Sequence, residues 1–479
     1  MKILEFFSKY QKFIISGCLL LSVLSFIDKA LSMGVIFVFF LASVSLFIIN
    51  RFRGEKQRRI LSALFLIVFS LQIMAVLFFY YTGFQPFSGG YGDYVFYDEL
   101  AQEIVGRVHQ GNFSLQDLYI PNYYPAIIGY IYIFTIPSML MGQLLNAWLI
   151  ALITVFIYLI TREIGRSEKE GFLMGLIASI YPSLVFFGNL MLKDALAALL
   201  CMVGLLLTLK IVKGFSWSKF LVFYIILTAL IHFRFYVGFA LMFGFIISWF
   251  LVSALGFKKR VIYGVILLFL LGFSPWFLNL GYYGFKNLGS FLNVEKITFY
   301  REKVYAPSVQ SPQIQSQPTT PQLDAPQADT LQPDVSQPAV TRIDRGGSSI
   351  VIKTGFENPL IFLRNTALSF ACAFLGPFPW QIKRLKHLLV LPELIAWYFL
   401  LFFVIKGTIK SIKEQYRVIL PVFIFSILIF GTLALFITNF GIITRIRIPA
   451  FLSLLCLFPL GFKQLKDIKI PLLNKMFNI

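Results

Sequence analysis

The chain has 479 residues, 58% hydrophobic and 17% aromatic but only 13% charged, with a mean hydropathy of +0.79. These values exclude an ordinary soluble domain and imply an all-α polytopic membrane protein. The excess of 42 Lys and Arg over 22 Asp and Glu, a net charge of +20, sits mostly in short loops between apolar runs, which is the positive-inside signature and implies no nucleic-acid partner.

A helix needs about 20 apolar residues to cross a bilayer. The runs that offer this are Phe13 to Ile27, Leu31 to Ile49, Ile60 to Thr82, Gln143 to Thr161, Gly171 to Gly188, Ala195 to Leu209 and Phe220 to Phe233. Tyr236 to Ser253, Val261 to Gly281, Leu388 to Ile405, Val418 to Ile437 and Ile448 to Phe462 complete the set. They predict about twelve crossings with both termini in the cytoplasm. Lys2, Lys9 and Lys12 before the first run resemble a signal peptide, but Asp28-Lys29 and a second run follow at once, so a retained hairpin is expected over residues 1–59. Its basic tail, Arg51, Arg53, Lys56, Arg58 and Arg59, then faces the cytoplasm.

Tyr124 to Met141 and Pro359 to Gly376 are also apolar. Counting either alone as a span would move every later basic cluster to the outside, so both are expected to lie at the membrane surface. Cys18, Cys201, Cys372 and Cys456 lie in apolar segments without metal-ligand spacing and read as packing residues. The Pro-, Gln- and Ser-rich stretch 306–339, inside the outer loop 282–357, has almost nothing to bury and is expected to be a disordered tether.

The first outer loop, 83–142, carries the acidic start Gly92-Asp93-Tyr94-Val95-Phe96-Tyr97-Asp98-Glu99. Leu100, Ala101, Ile104, Val105 and Val108 recur at helical spacing, with Asp98, Glu99, Gln102, Glu103 and Arg107 opposite, which predicts an amphipathic surface helix. Asp93 falls on the membrane-facing stripe at its N-terminus. Either it caps the helix or it has chemistry to perform. Cations on the outer side, where the charge rule disfavours them, are the complementary signal: His232, Arg234, Arg364, Lys383, Arg384, Lys386, Arg445 and Arg447. Snorkelling to headgroups is the favoured reading of Arg364 and of Lys383 to Lys386, and a functional one that of Arg445 and Arg447. Arg234 and His232 fall at the tip of a tight helical hairpin, and Lys193-Asp194 is readable as a structural ion pair.

Gly92-Asp93, Tyr97, Leu100-Ala101 and Gly111, then Tyr124-Pro125, Tyr181-Pro182, Lys193-Asp194 and Thr444-Arg445-Ile446-Arg447-Ile448-Pro449, resemble in order and spacing the motifs of GT-C type membrane glycosyltransferases. That superfamily includes the protein mannosyltransferases and the aminoarabinose transferases of lipid A. The resemblance covers roughly residues 60 to 462, as a membrane module 60–281, the outer loop 282–357 and a C-terminal part 358–479. It departs from the family at Pro125-Ala126, where a second proline is usual, and in the additional hairpin Phe13 to Ile49.

The resemblance implies transfer of a sugar from a polyprenyl-phosphate carrier to a glycan, lipid or protein acceptor outside the cytoplasm of a bacterial inner membrane. Asp93 is the expected catalytic base. Arg445, Arg447, Arg234, Lys193 and Arg364 are expected on the donor phosphate, and Tyr97, Asp98, Glu99, Tyr124, Asp194 and His232 around the substrates. A divalent ion, Mg or Mn, is left open as a cofactor. Two other readings remain at this point: a polysaccharide polymerase or ligase using a lipid-diphosphate donor, and a flippase or transporter of lipid-linked glycans, for which charges at mid-membrane are the expected mark.

Overall fold

In lipid every backbone polar group needs an internal partner, so apolar runs become helices. The computed structural model describes residues 28–52, 54–85, 92–115, 122–273, 293–299, 358–378, 391–436 and 440–462, with a few isolated positions besides. Every regular element among them is a helix. Among the described residues six helices are long and apolar enough to cross a membrane, or seven if one bent pair is a single span. The first apolar run, the tether and Lys383, Arg384 and Lys386 lie outside the described residues.

α1 (Lys29–Ile49) starts where the Asp28 carboxylate accepts the Ala30 and Leu31 N–H groups at 2.7 and 3.3 Å, an N-cap that satisfies two orphan donors. α2 (Glu55–Thr82) ends at Gly83, whose φ of +61° stops the helix in a conformation glycine adopts without strain. Beyond that end lies a layer of two short helices, α3 (Asp93–His109) and α4 (Tyr124–Phe134). α3 is amphipathic as its spacing predicts, with Leu100, Ala101, Ile104 and Val105 buried. Gly129 of α4 admits it closely: a Cβ there would stand 3.0 Å from Ile104 Cγ2 and 3.3 Å from the Ala101 carbonyl. The second apolar stretch of that loop is thus a helix of 11 residues, and α5 (Met139–Glu163) starts just beyond it.

The run Gly171 to Gly188 is two helices, α6 (Glu168–Ser179) and α7 (Pro182–Asn189), bent by 59°. Pro182 has no N–H and cannot continue the ladder. Gln72 of α2 repairs the break, donating to the Ser179 carbonyl at 2.7 Å and accepting from Asn189 at 2.6 Å. α8 (Asp194–Lys213) follows a short non-helical corner.

Two of the long helices fold back on themselves. In α9 (Trp217–Val252) Arg234 leaves helical geometry at φ −150°, ψ 81°, and the rings of Phe223 and Phe245 meet at 4.6 Å. A continuous helix would hold those rings about 33 Å apart, so Arg234 is the tip of the hairpin that the sequence predicts. α10 (Phe257–Leu270) and α11 (Val294–Thr298) follow. α12 (Pro359–Leu375) corresponds to the second surface stretch. In α13 (Leu391–Phe436) the break is at Gln415. The Phe374 ring touches both Trp397, at 6.0 Å, and Phe430, at 4.9 Å, which two antiparallel arms allow and one straight helix does not. α14 (Phe440–Ile446) follows, and the last run, Ile448 to Phe462, is divided between α15 (Ile448–Leu455) and α16 (Phe458–Gly461).

Charge separates to the two ends of this bundle. At one end Lys56 pairs with Glu168 at 3.3 Å, Lys213 with Glu163 at 2.7 Å and Arg166 with Glu170 at 2.6 Å. These ties join α2, α5, α6 and α8 where the basic loops of the sequence converge. α8 then carries the chain about 30 Å from Lys213 back to Asp194, where the second group of charges stands.

Candidate functional site

Asp194 is the first residue of α8, and its side chain is 5% exposed. A buried carboxylate needs partners, since desolvation without them costs several kcal/mol. It has two guanidinium groups. Arg234, at the break in α9, donates to Oδ1 and also reaches the Tyr236 hydroxyl at 2.8 Å. Arg445 of α14 forks onto Oδ2 through Nε at 3.0 Å and Nη2 at 2.7 Å. Lys193-Asp194, readable from the sequence as a structural ion pair, gives way to two Asp194–arginine pairs.

The outer edge of Arg445 turns to Asp93, with Nη1 and Nη2 at 3.3 and 3.4 Å from Oδ2. The N-cap of α3 is Gly92, and Asp93 stands in the first turn without a side-chain capping bond. Its side chain is 58% exposed, so the carboxylate leaves the membrane-facing stripe on which the helical spacing places it and meets a cation at the rim. The guanidinium of Arg445 also lies 5.9 Å from the Phe187 ring centroid. Four elements that are remote in the sequence thus deliver one cluster: α3, α8, the tip of α9 and α14.

Lys193 adjoins it. Among the described residues it has no ion-pair partner, and burial followed by the neighbouring Arg234 charge pushes its ammonium down to about 7. Three basic groups, Arg234, Arg445 and Lys193, face two carboxylates, Asp93 and Asp194. With Lys193 protonated the cluster is one positive charge in excess, an arrangement that favours an added anion.

Other expected site residues are placed around this cluster. Tyr97 is buried and accepts from Asn122 Nδ2 at 3.1 Å. Burial, and then the charge of Asp93, raises its hydroxyl to about 12, so it stays protonated. Tyr124 is fully enclosed and donates to Asn146 Oδ1 at 2.9 Å. Asp98 accepts from the Tyr132 hydroxyl and from Gln102 at 2.9 Å. Glu99 is exposed on α3. His232 meets the Tyr123 ring edge-on at 5.4 Å, and Arg364 is exposed on α12.

Arg447 does not join Arg445. It is 0% exposed, donates to the Gly376 carbonyl and to Glu393 Oε1 at 3.3 Å, and lies over the Phe451 ring at 4.6 Å. Glu393 in turn accepts from the Tyr181 hydroxyl at 2.8 Å, and from the Ser183 N–H and hydroxyl at 2.9 and 2.6 Å. This arginine ties α7, α12, α13 and α15 together from inside. Its enclosure leaves a phosphate no approach, in contrast to the donor-phosphate contact expected for it.

No protein-family model and no curated protein matches this chain. Its likeness to the GT-C glycosyltransferases therefore rests on the motif order quoted above. Among the described residues no group of three or more His, Cys, Asp and Glu is arranged to hold a metal ion. The two carboxylates at the cluster have a guanidinium between them, in the place a bridging cation would take.

Asn122, Asn146 and Glu393 escape the sequence reading. The signal for Asn146 and Glu393 is a polar residue within an otherwise apolar helical run, where its desolvation requires a specific partner.

Proposed function

We propose that this chain is a membrane glycosyltransferase that moves a sugar from a polyprenyl-phosphate carrier to an extracytoplasmic glycan, lipid or protein acceptor by single displacement. The observation that carries the reading is Arg445 shared between buried Asp194 and exposed Asp93, because it joins the first-loop acid to the C-terminal arginine motif. In this reading the chain crosses a bacterial inner membrane about twelve times, with both termini and the Lys56 to Lys213 end in the cytoplasm and the Asp93 end outside. The separation of basic loops to one end supports that orientation.

The donor phosphate enters beside Lys193 and Arg445. It competes with Asp93, whose contacts to Arg445 are the longest in the cluster, whereas Asp194 keeps its hold on the same guanidinium. The freed Asp93 carboxylate then meets the acceptor hydroxyl. The acceptor oxygen forms a bond to the anomeric carbon as the bond from that carbon to the phosphate oxygen breaks, and the hydroxyl proton passes to Asp93. Negative charge that was partly shared with the sugar returns to the departing phosphate, so Arg445, Arg234 and Lys193 stabilise the transition state more than the bound donor. The product phosphate stays on the lipid and leaves through the bilayer.

The test is turnover by the purified full chain of radiolabelled polyprenyl-monophosphate sugars in the presence of envelope acceptors. Label passing to the acceptor with release of polyprenyl phosphate is the expected result. Consumption of diphosphate donors alone transfers the assignment to a polymerase or ligase, and movement of lipid-linked glycan across vesicles without consumption transfers it to a transporter.

A further inference from the structure

α7 ends at Asn189 and α8 begins at Asp194, so residues 190–192 lie between the two helices, with the Leu192 N–H turned back onto the Leu190 carbonyl at 2.7 Å, while Lys193 caps α8 and accepts from the Ala197 N–H at 3.0 Å. Leu190, Met191 and Leu192 are 3%, 0% and 2% exposed. Carbonyls in such a break have no water to turn to and need a side chain. Asn146, on α5 and itself 0% exposed, gives its amide N–H groups to the Leu190 carbonyl at 2.6 Å and the Leu192 carbonyl at 2.8 Å. Its Oδ1 accepts from the Tyr124 hydroxyl at 2.9 Å. An amide of this size supplies the two donors and the acceptor together.

The surface of α5 beside Asn146 is shaped for the same corner. Gly142, one turn earlier, leaves the space that Met191 occupies: a Cβ there would stand 2.4 Å from Met191 Sδ and 2.6 Å from its Cγ. On the other side the line continues outward. The Tyr124 N–H donates to Asn122 Oδ1 at 3.1 Å, and Asn122 Nδ2 donates to the Tyr97 hydroxyl at 3.1 Å. Tyr97 stands one turn after Asp93 on α3.

We infer that Asn146 is a positioning residue: it locks the corner that presents Lys193 and Asp194 to the α3–α4 layer that presents Asp93, and so fixes the distance between the acid and the cations. The inference rests on reading those groups as the substrate site, but the lock itself is testable without any substrate.

The measurement is the pH dependence of Lys193 acylation by a small water-soluble active ester on the purified full chain, read by peptide mass spectrometry. The charges acting on Lys193 are Asp194, Asp93, Arg234 and Arg445. Asn146→Leu removes the side-chain donor from both carbonyls, leaving Leu190 only the Leu192 N–H, lets water into the corner and moves the labelling midpoint upward by a unit or more, a shift that accessibility alone does not produce. Asn189→Leu is the control: it removes another buried amide, on α7, that bonds Gln72 and the Val185 carbonyl, and the midpoint stays at the wild-type value. A midpoint unmoved by Asn146→Leu, or moved equally by Asn189→Leu, overturns the inference. If Asn146→Leu fails to fold, Tyr124→Phe takes its place. It deletes the Oδ1 bond alone and shifts the midpoint upward by less; no shift overturns the inference. Failure of the wild type to transfer sugar would refute the proposed function and leave this labelling result intact.

Discussion

Arg445 holds Asp194 at 2.7 Å and Asp93 at 3.3 Å with the same guanidinium. The inner carboxylate is buried and doubly bonded by Arg445; the outer one is exposed and more loosely held. A planar fork is what allows one side chain to serve both. Arg445→Lys keeps the charge but loses the fork, so an ammonium at this position cannot hold Asp194 and meet a phosphate at once. Transfer is expected to fall on the order of 100-fold, as when one preorganised donor is removed from a developing charge. Steady-state kinetics of the variant reads this, and a rate within a few-fold of wild type contradicts it.

Asp194 has a different duty. It is the anion on which both Arg234 and Arg445 rest, so Asp194→Asn leaves two largely enclosed cations short of charge. Breaking such a pair by removing one partner costs about 3–5 kcal/mol. The unfolding midpoint in detergent is expected to drop sharply, whereas Asp93→Asn, which removes an exposed partner worth about 0–1 kcal/mol, leaves it nearly unchanged. Equal midpoints for the two variants would contradict this division.

The Glu393–Arg447 pair predicts non-additivity. Glu393→Gln strands the fully buried Arg447 charge and is expected to destabilise by about 3–5 kcal/mol, while the double variant Glu393→Gln with Arg447→Met, which removes both charges, recovers part of that loss. Thermal unfolding of the two single variants and the double one decides the matter. Strict additivity would mean that the pair is not coupled.

Lys193 makes the proposed site sensitive to pH. Its ammonium titrates at about 7 in place of the ordinary 10.5, through burial and the Arg234 charge. Below that value it is a cation; above it, a neutral amine. Donor affinity is therefore expected to fall as pH rises through about 7, and the donor KM to rise. Lys193→Arg stays charged and flattens the profile. The effect on folding has the opposite sign: between about 7 and 10.5 the unfolded chain binds a proton that the folded chain does not, so this group makes stability rise with pH in that window. A donor KM that is flat between about pH 6 and 9 in the wild type contradicts the role given to Lys193.

Apolar length and period are enough to place six long helices among the described residues, because they survive without tertiary information, but they do not show that Ile448 to Phe462, read as one crossing, is two short helices. The α3 stripe and the hairpin tip at Arg234 were legible for the same reason, the one from spacing and the other from a polar pair between two runs. The 59° break at Pro182 was not placed by hydropathy, since Gly171 to Gly188 is apolar throughout. What holds it, Gln72 on Ser179, comes from a helix remote in the sequence. Arg445 and Arg447 looked equivalent, two cations in one short motif. Their helical positions turn one toward Asp194 and the other into the Glu393 network, a distinction that needs the neighbouring helices. The role of Asn146 is not legible in its own segment, because nothing there shows that the carbonyls of Leu190 and Leu192 lie opposite it.

The most direct test of the account is the rate of sugar transfer by Asp93→Asn at saturating polyprenyl-phosphate sugar, beside wild type. The asparagine keeps the shape of Asp93 and cannot take the acceptor proton, so kcat is expected to fall by about 100- to 10,000-fold, the usual worth of a general base, with the unfolding midpoint preserved. Transfer at the wild-type rate would contradict the assignment of Asp93 and with it the proposed chemistry of the cluster.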